Sequence, residues 1–265
     1  MTRTKEIASL ANYAASHEEN KPEWNTSREH DTLAGLVQMA AQTKNARLIV
    51  TLPPRCGATT LMGTLLPAFL LNQDPALHIS YSAYNEKLGV RALRHTAKLV
   101  PGAFMGTAQH YLQTQAGGCY WNLPAGLHPC GYGMDVALID GPIFSRQEAE
   151  NPVHMKALTQ WYLDALLTRV LPGGAIIVLA QRWNNQDFVS SVLRTKGDYE
   201  PFVSVNLPAV DALGESLWPS LFSTADFKRI KYQVGEIDWH ALYLGCPLPG
   251  DRCTCRCARC KKEQA

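Results

Sequence analysis

The 265 residues carry a formal net charge of +2, with 46% hydrophobic and 18% charged residues. A chain of that length supports one large core, alone or with a small appendage. Its near-neutral balance excludes nucleic-acid binding driven by overall charge, so any DNA contact must come from a local basic patch. The longest apolar stretch, 61–71, is too short to span a bilayer and contains Pro67. The polar start from Met1 to Glu6 lacks the apolar core of a signal peptide. A cytoplasmic site without membrane contact is therefore expected, where the eight cysteines are reduced thiols or metal ligands rather than disulfides.

In chain order, residues 1–30 read as a polar segment with a weak helix and a loop around Pro22. Residues 31–41 have helical spacing, with Leu33, Leu36, Val37 and Ala40 on one face. Residues 47–52 form a β-branched apolar run ending at Pro53-Pro54, which predicts a strand buried on both faces. A tight turn over 53–59 and an apolar helix over 60–71 follow. Residues 77–82 predict a second strand, and 85–100 a helix carrying Lys87, Arg91, Arg94 and Lys98. The stretch 102–133, rich in Gly, Pro and aromatics, reads as irregular or as a short strand pair near 119–123. Residues 135–140 predict a third strand, and 147–170 a long helix interrupted near Pro152. A turn at Pro172-Gly-Gly174 precedes strands over 175–180 and 202–207. The alternation predicts an α/β fold with a mainly parallel sheet covered by helices on both faces, an architecture that P-loop NTPases share with other α/β proteins. The domain spans 31–249, with a tail over 250–265.

The turn after the first strand has the character of a phosphate-binding loop. Backbone N–H groups in such a turn and at the following helix N-terminus converge on an anion, and the helix dipole adds to the attraction. Against the motif G-x-x-x-x-G-K-[ST], Gly57 and Thr59 match, Leu52 replaces the first glycine, and Ala58 replaces the lysine. That lysine neutralises charge on the β- and γ-phosphates; Arg55 is the nearby cation able to take its place. The nucleotide-binding candidates are thus Pro54, Arg55, Cys56, Gly57, Ala58, Thr59 and Thr60, with an ordinary strand-to-helix turn as the alternative.

Asp140 ends an apolar strand at the sheet edge where open α/β sheets bind ligands. Thr59 and Asp140 are the candidate Mg²⁺ ligands. An acid that polarises attacking water usually follows such an aspartate, but here Gly141 follows and the next carboxylate is Glu148. Gln181 is placed to sense a γ-phosphate. Arg182 is read either as a partner of Asp140, as a DNA contact, or as a surface arginine beside Trp183. Arg55, Asp140, Gln181 and Arg182 are the catalytic candidates.

The tail holds Cys253, Cys255, Cys257 and Cys260 among basic residues. Four thiolates suit Zn²⁺, although structural sites usually separate two pairs by a dozen or more residues. A disordered thiol-rich tail is the competing reading, and the basic residues suit DNA or an acidic partner.

Taken together, 52–60, Ser80-Tyr-Ser82, 135–142, 167–175, Gln181-Arg-Trp183, Leu207-Pro-Ala209, Leu217-Trp-Pro219 and Ala241-Leu-Tyr243 resemble, in order and spacing, the ATPase domain of the phage terminase large subunit. The resemblance covers about 31–249 and implies an ATP- and Mg²⁺-dependent motor that threads double-stranded DNA into a procapsid. It also implies a homo-oligomeric ring on a portal, a small terminase subunit as partner, and the host cytoplasm as location. The upstream Arg55 belongs to the family pattern. Ala58, Gly141 and Gln181 depart from it, so weak or lost hydrolysis is expected; the alternative is a pseudo-ATPase that binds or regulates packaging components. The family continues into an RNase-H-like nuclease domain, which this chain, ending soon after Tyr243, is expected to lack.

Overall fold

The computed structural model describes residues 9–17, 27–106, 110–128, 131–195 and 201–248. Among them, α1 (Leu10–Ser16) and α2 (Arg28–Gln42) lead into β1 (Arg47–Thr51). Helix α3 runs through 58–73 in three consecutive segments, Ala58–Thr60, the π-helical Leu61–Leu65 and Leu66–Gln73. Next come β2 (His78–Ala83), α4 (Glu86–Leu99), β3 (Phe104–Met105), β4 (Tyr111–Gln113), β5 (Cys119–Asn122) and β6 (Met134–Asp140). Helix α5 (Arg146–Glu150) and α6 (Pro152–Trp161, continued by Tyr162–Leu166 and Leu167–Arg169) precede β7 (Val170–Ala180). The chain closes with α7 (Phe188–Arg194), β8 (Val203–Asn206), α8 (Thr224–Asp238) and the π-helical turn α9 (Trp239–Tyr243).

The eight strands form one sheet in the order β3-β4-β5-β2-β6-β7-β1-β8. From β5 through β8 all pairings are parallel, and the β3-β4-β5 meander is antiparallel. The continuous apolar runs of β1, β6 and β7 follow from this arrangement. Their alternate residues enter opposite cores, Leu48 and Val50 on one face and Ile49 on the other. Helices α1 to α4, with Phe227 and Trp239 of the C-terminal segment, cover the first face; α5, α6 and α7 cover the second.

Three expectations change. The 102–133 stretch contains a three-stranded edge extension, because short strands interrupted by glycines still pair in register, Leu112 with Tyr120 and Ile79 with Tyr120. Pro172-Gly-Gly174 stays within β7 as a bulge: the six residues from Val170 to Ala175 face the three from Met134 to Val136. Proline cannot donate to the ladder, and a bulge absorbs it. The polar 1–30 segment also reaches the core, where Leu10 is fully buried and Tyr13 and Ala14 are buried beside it. Alternation fails there as a signal because a seven-residue helix presents only two turns.

Pro67 lies within α3 and lacks the N–H that would bond the Gly63 carbonyl. That carbonyl instead accepts from Tyr120 Oη at 2.7 Å and Thr96 Oγ1 at 3.3 Å. These two hydrogen bonds tie the helix to β5 and α4.

Candidate functional site

Strand β1 delivers the chain to the C-terminal edge of the sheet, and β7 lies between it and β6. The loop 52–57 is held at its base, where Leu52 N donates to Ala180 O and Leu207 N to Thr51 O. Two of its residues have left-handed backbone, Arg55 at φ +68° and Gly57 at φ +79°. A non-glycine residue held there costs about 1–2 kcal/mol. Such left-handed kinks turn successive N–H groups toward one concavity, the anion-binding nest. Gly57 is the N-cap of α3, and no side chain caps that terminus. No side-chain cap thus serves the first-turn N–H groups, the kind of terminus at which anions bind.

Beside this terminus stands Asp140. Its side chain is buried and accepts two hydroxyl hydrogen bonds, one from Tyr81 Oη at 2.7 Å and one from Thr59. Burial pushes the carboxyl up from its ordinary value, and the Tyr81 and Thr59 hydroxyls pull in the other direction. Burial and the neighbouring Asp140 raise Tyr81, so its phenol remains a donor. Thr59 and Asp140, 81 positions apart in the sequence, are thus in contact. Both offer hard oxygens, the donors Mg²⁺ takes, so this pair fits the ion. Among the described residues no cluster of three His, Cys, Asp or Glu side chains is placed to hold a metal. Cys253, Cys255, Cys257 and Cys260 lie outside the described residues.

The remaining candidates divide. Arg55 is exposed at the loop. Cys56 is buried, its thiol pushed far up by that burial, so its contribution to a ligand is limited to backbone. Ala58 is buried and packs into the core, while Thr60 and Pro54 are half-buried. Gln181 follows β7, and its Oε1 lies 3.6 Å from where a side-chain carbon on Gly141 would stand. It occupies the neighbourhood of the absent second acid. Gly141 itself is at φ +49°, which favours glycine. The next carboxylate in the sequence, Glu148, accepts from Phe144 N at 2.8 Å in the turn that starts α5.

Arg182 corrects an expectation. It pairs with the buried Asp187, Nε to Oδ2 at 2.9 Å, and donates to Ser190 Oγ at 2.7 Å, so it does not pair with Asp140. Asp187 lies five residues downstream as the N-cap of α7 and accepts Ser190 N and Trp183 N as well. A nearer carboxylate already wrapped in donors wins the arginine. Tyr81 was not among the candidates. Its partnership depends on β2 lying next to β6 with Tyr81 opposite Leu138, which no local motif encodes.

Strand order, an uncapped helix after β1 and a carboxylate at the end of β6 define a phosphate-loop α/β fold. No family model and no curated protein matches the chain. Solved structures do match. The large terminase ATPase domain of Thermus phage P74-26 superposes with a TM-score of 0.50 at 11% identity, covering 83% of this chain and 98% of that one. The large terminase of the thermophilic bacteriophage D6E, in complex with ATP-γ-S, superposes with a TM-score of 0.50 at 11% identity, covering 76% of this chain and 47% of that one. The chain therefore spans about half the length of the D6E protein. In particular, the fold of this chain is that of a large-terminase ATPase domain.

Proposed function

We propose that this chain binds a nucleoside triphosphate at the 52–60 loop and serves a DNA-packaging motor, with hydrolysis weakened or lost. The observation that carries the reading is the contact of Thr59 with Asp140 beside an uncapped helix N-terminus. In that role the N–H groups at Gly57, Ala58 and Thr59 receive the phosphates, and the exposed Arg55 supplies positive charge. Thr59 and Asp140 hold Mg²⁺, which when bound neutralises charge on the phosphates. Tyr81 keeps the Asp140 carboxylate oriented toward the loop. Double-stranded DNA, a portal, a small terminase subunit and further copies of this chain in a ring are the partners this reading proposes.

Hydrolysis is weakened because two charged groups are missing. Each lost transition-state contact of this kind costs about 2.7–4 kcal/mol, or about 10²–10³ in rate. A second reading, a pseudo-ATPase that regulates an active partner, is favoured by Gly141, which sits at φ +49° beside Gln181 and itself carries no carboxylate to polarise water. Steady-state phosphate release with Mg²⁺ and duplex DNA tests the proposal. The unmodified chain is expected near background, and brisk turnover would overturn the reading.

A further inference from the structure

Helix α4 presents a basic stripe that the nucleotide site does not use. Lys87, Arg91, Arg94 and Lys98 are all exposed. They recur at intervals of four, three and four residues, which places them on one side of the helix in a row about 16 Å long. The helix has one acid, Glu86, at its first turn, where it lies 3.5 Å from His110 Nδ1. No carboxylate therefore interrupts the row along the helix itself. A groove of about 460 Å³, lined by Glu86, Lys87, Val90, Arg91, Arg94 and His95, runs beside it.

The opposite side of α4 is fixed. Gly89, Ala92, Leu93 and Thr96 are buried. A side chain at Gly89 would collide with Asn122, whose Nδ2 donates to Glu86 O at 3.1 Å. Thr96 Oγ1 donates to Gly63 O, the carbonyl that Pro67 frees in α3. The four cations thus stand on a rigid rod docked against the phosphate-loop helix.

We propose that this stripe is a contact surface for the sugar-phosphate backbone of duplex nucleic acid. A solvated helix face normally intersperses acids among its bases as i,i+4 pairs. Here one sign repeats over three turns, and the complementary partner is a regular row of anions. Duplex DNA offers one phosphate per strand about every 3.4 Å of axis, so the row spans about five. The choice of duplex DNA as probe rests on the packaging reading; the surface itself rests on the stripe.

The test is binding of a fluorescent mixed-sequence duplex of about 30 base pairs to the full chain, between about 50 and 200 mM salt. The stripe variant carries Lys87→Gln, Arg91→Gln, Arg94→Gln and Lys98→Gln. A control of equal charge carries Lys44→Gln, Lys156→Gln, Lys228→Gln and Lys231→Gln. Each lost phosphate contact lowers the slope of log K against log salt by about 0.9, so the stripe variant loses about 3–4 in slope. The parent then weakens about 100-fold more than the variant across that range. The control keeps the parent slope, and Arg91→Lys with Arg94→Lys retains most of it. A stripe variant with the parent slope, a control that falls as far, a parent that binds no duplex, or poly-glutamate competing as well as duplex at equal charge would each overturn the proposal. ATP binding measured on the same samples separates the two claims. Loss of DNA binding with ATP binding intact supports the stripe, whereas a DNA result that holds without ATP binding sinks the nucleotide reading alone.

Discussion

Tyr81→Phe removes one oxygen from the interior and leaves the ring volume in place. The lost hydroxyl donates to Asp140 Oδ2 at 2.7 Å, between two buried side chains. A hydrogen bond to a charged group contributes about 1.5–3 kcal/mol, so the variant should be less stable by about 2–3 kcal/mol near neutral pH. For a domain of this size each kcal/mol shifts Tm by about 2–4 °C, giving a drop of about 5–10 °C. The pH dependence identifies the cause. Burial raises Asp140 above its ordinary value, so the folded state binds its proton more tightly than the unfolded chain. Stability therefore falls as pH rises through the window that starts at the ordinary carboxylate range. Tyr81 opposes that rise, and removing it deepens the fall. The difference between parent and variant should be small in acid, where Asp140 is protonated in both states, and grow toward neutrality. Urea melts of both proteins across this pH range measure it. A difference below about 0.5 kcal/mol, or one that does not change with pH, would refute the reasoning.

Arg55→Gly should relieve about 1–2 kcal/mol of left-handed strain while adding about 0.5–1 kcal/mol of chain entropy. The expected outcome is a protein no less stable in a thermal melt, with weaker ATP binding. Arg182→Gln should cost about 3 kcal/mol, because it leaves the buried Asp187 without its cation; ATP affinity should not change. Ala58→Lys combined with Gly141→Asp should raise phosphate release above the parent. Its Gly141 component should also cost about 1–2 kcal/mol in a denaturant melt, because φ is +49° there.

The central strands are legible in the sequence because strands covered on both faces read as unbroken apolar runs, as 47–51 and 135–140 do. The β3-β4-β5 meander is harder to read, since two- to four-residue strands set among glycines carry no period. Helix α8 is obscured by Gly235, whose left-handed backbone kinks it at φ +77°. In the site, Thr59 and Asp140 follow from their places after β1 and at the end of β6. Tyr81 does not, because a cross-strand hydrogen bond depends on which strands become neighbours. Arg182 misleads for a related reason: its partner is chosen by burial of Asp187 and not by proximity to the sheet edge. Gly141 reads as a missing acid, and only the backbone angle shows that the position also favours glycine.

The most direct test of nucleotide binding at the 52–60 loop is calorimetric titration of the full chain with ATP-γ-S and Mg²⁺. The account predicts saturable binding of one nucleotide per chain, weakened by Arg55→Ala and by Thr59→Val. Absence of binding at millimolar nucleotide, or binding indifferent to both substitutions, would contradict it.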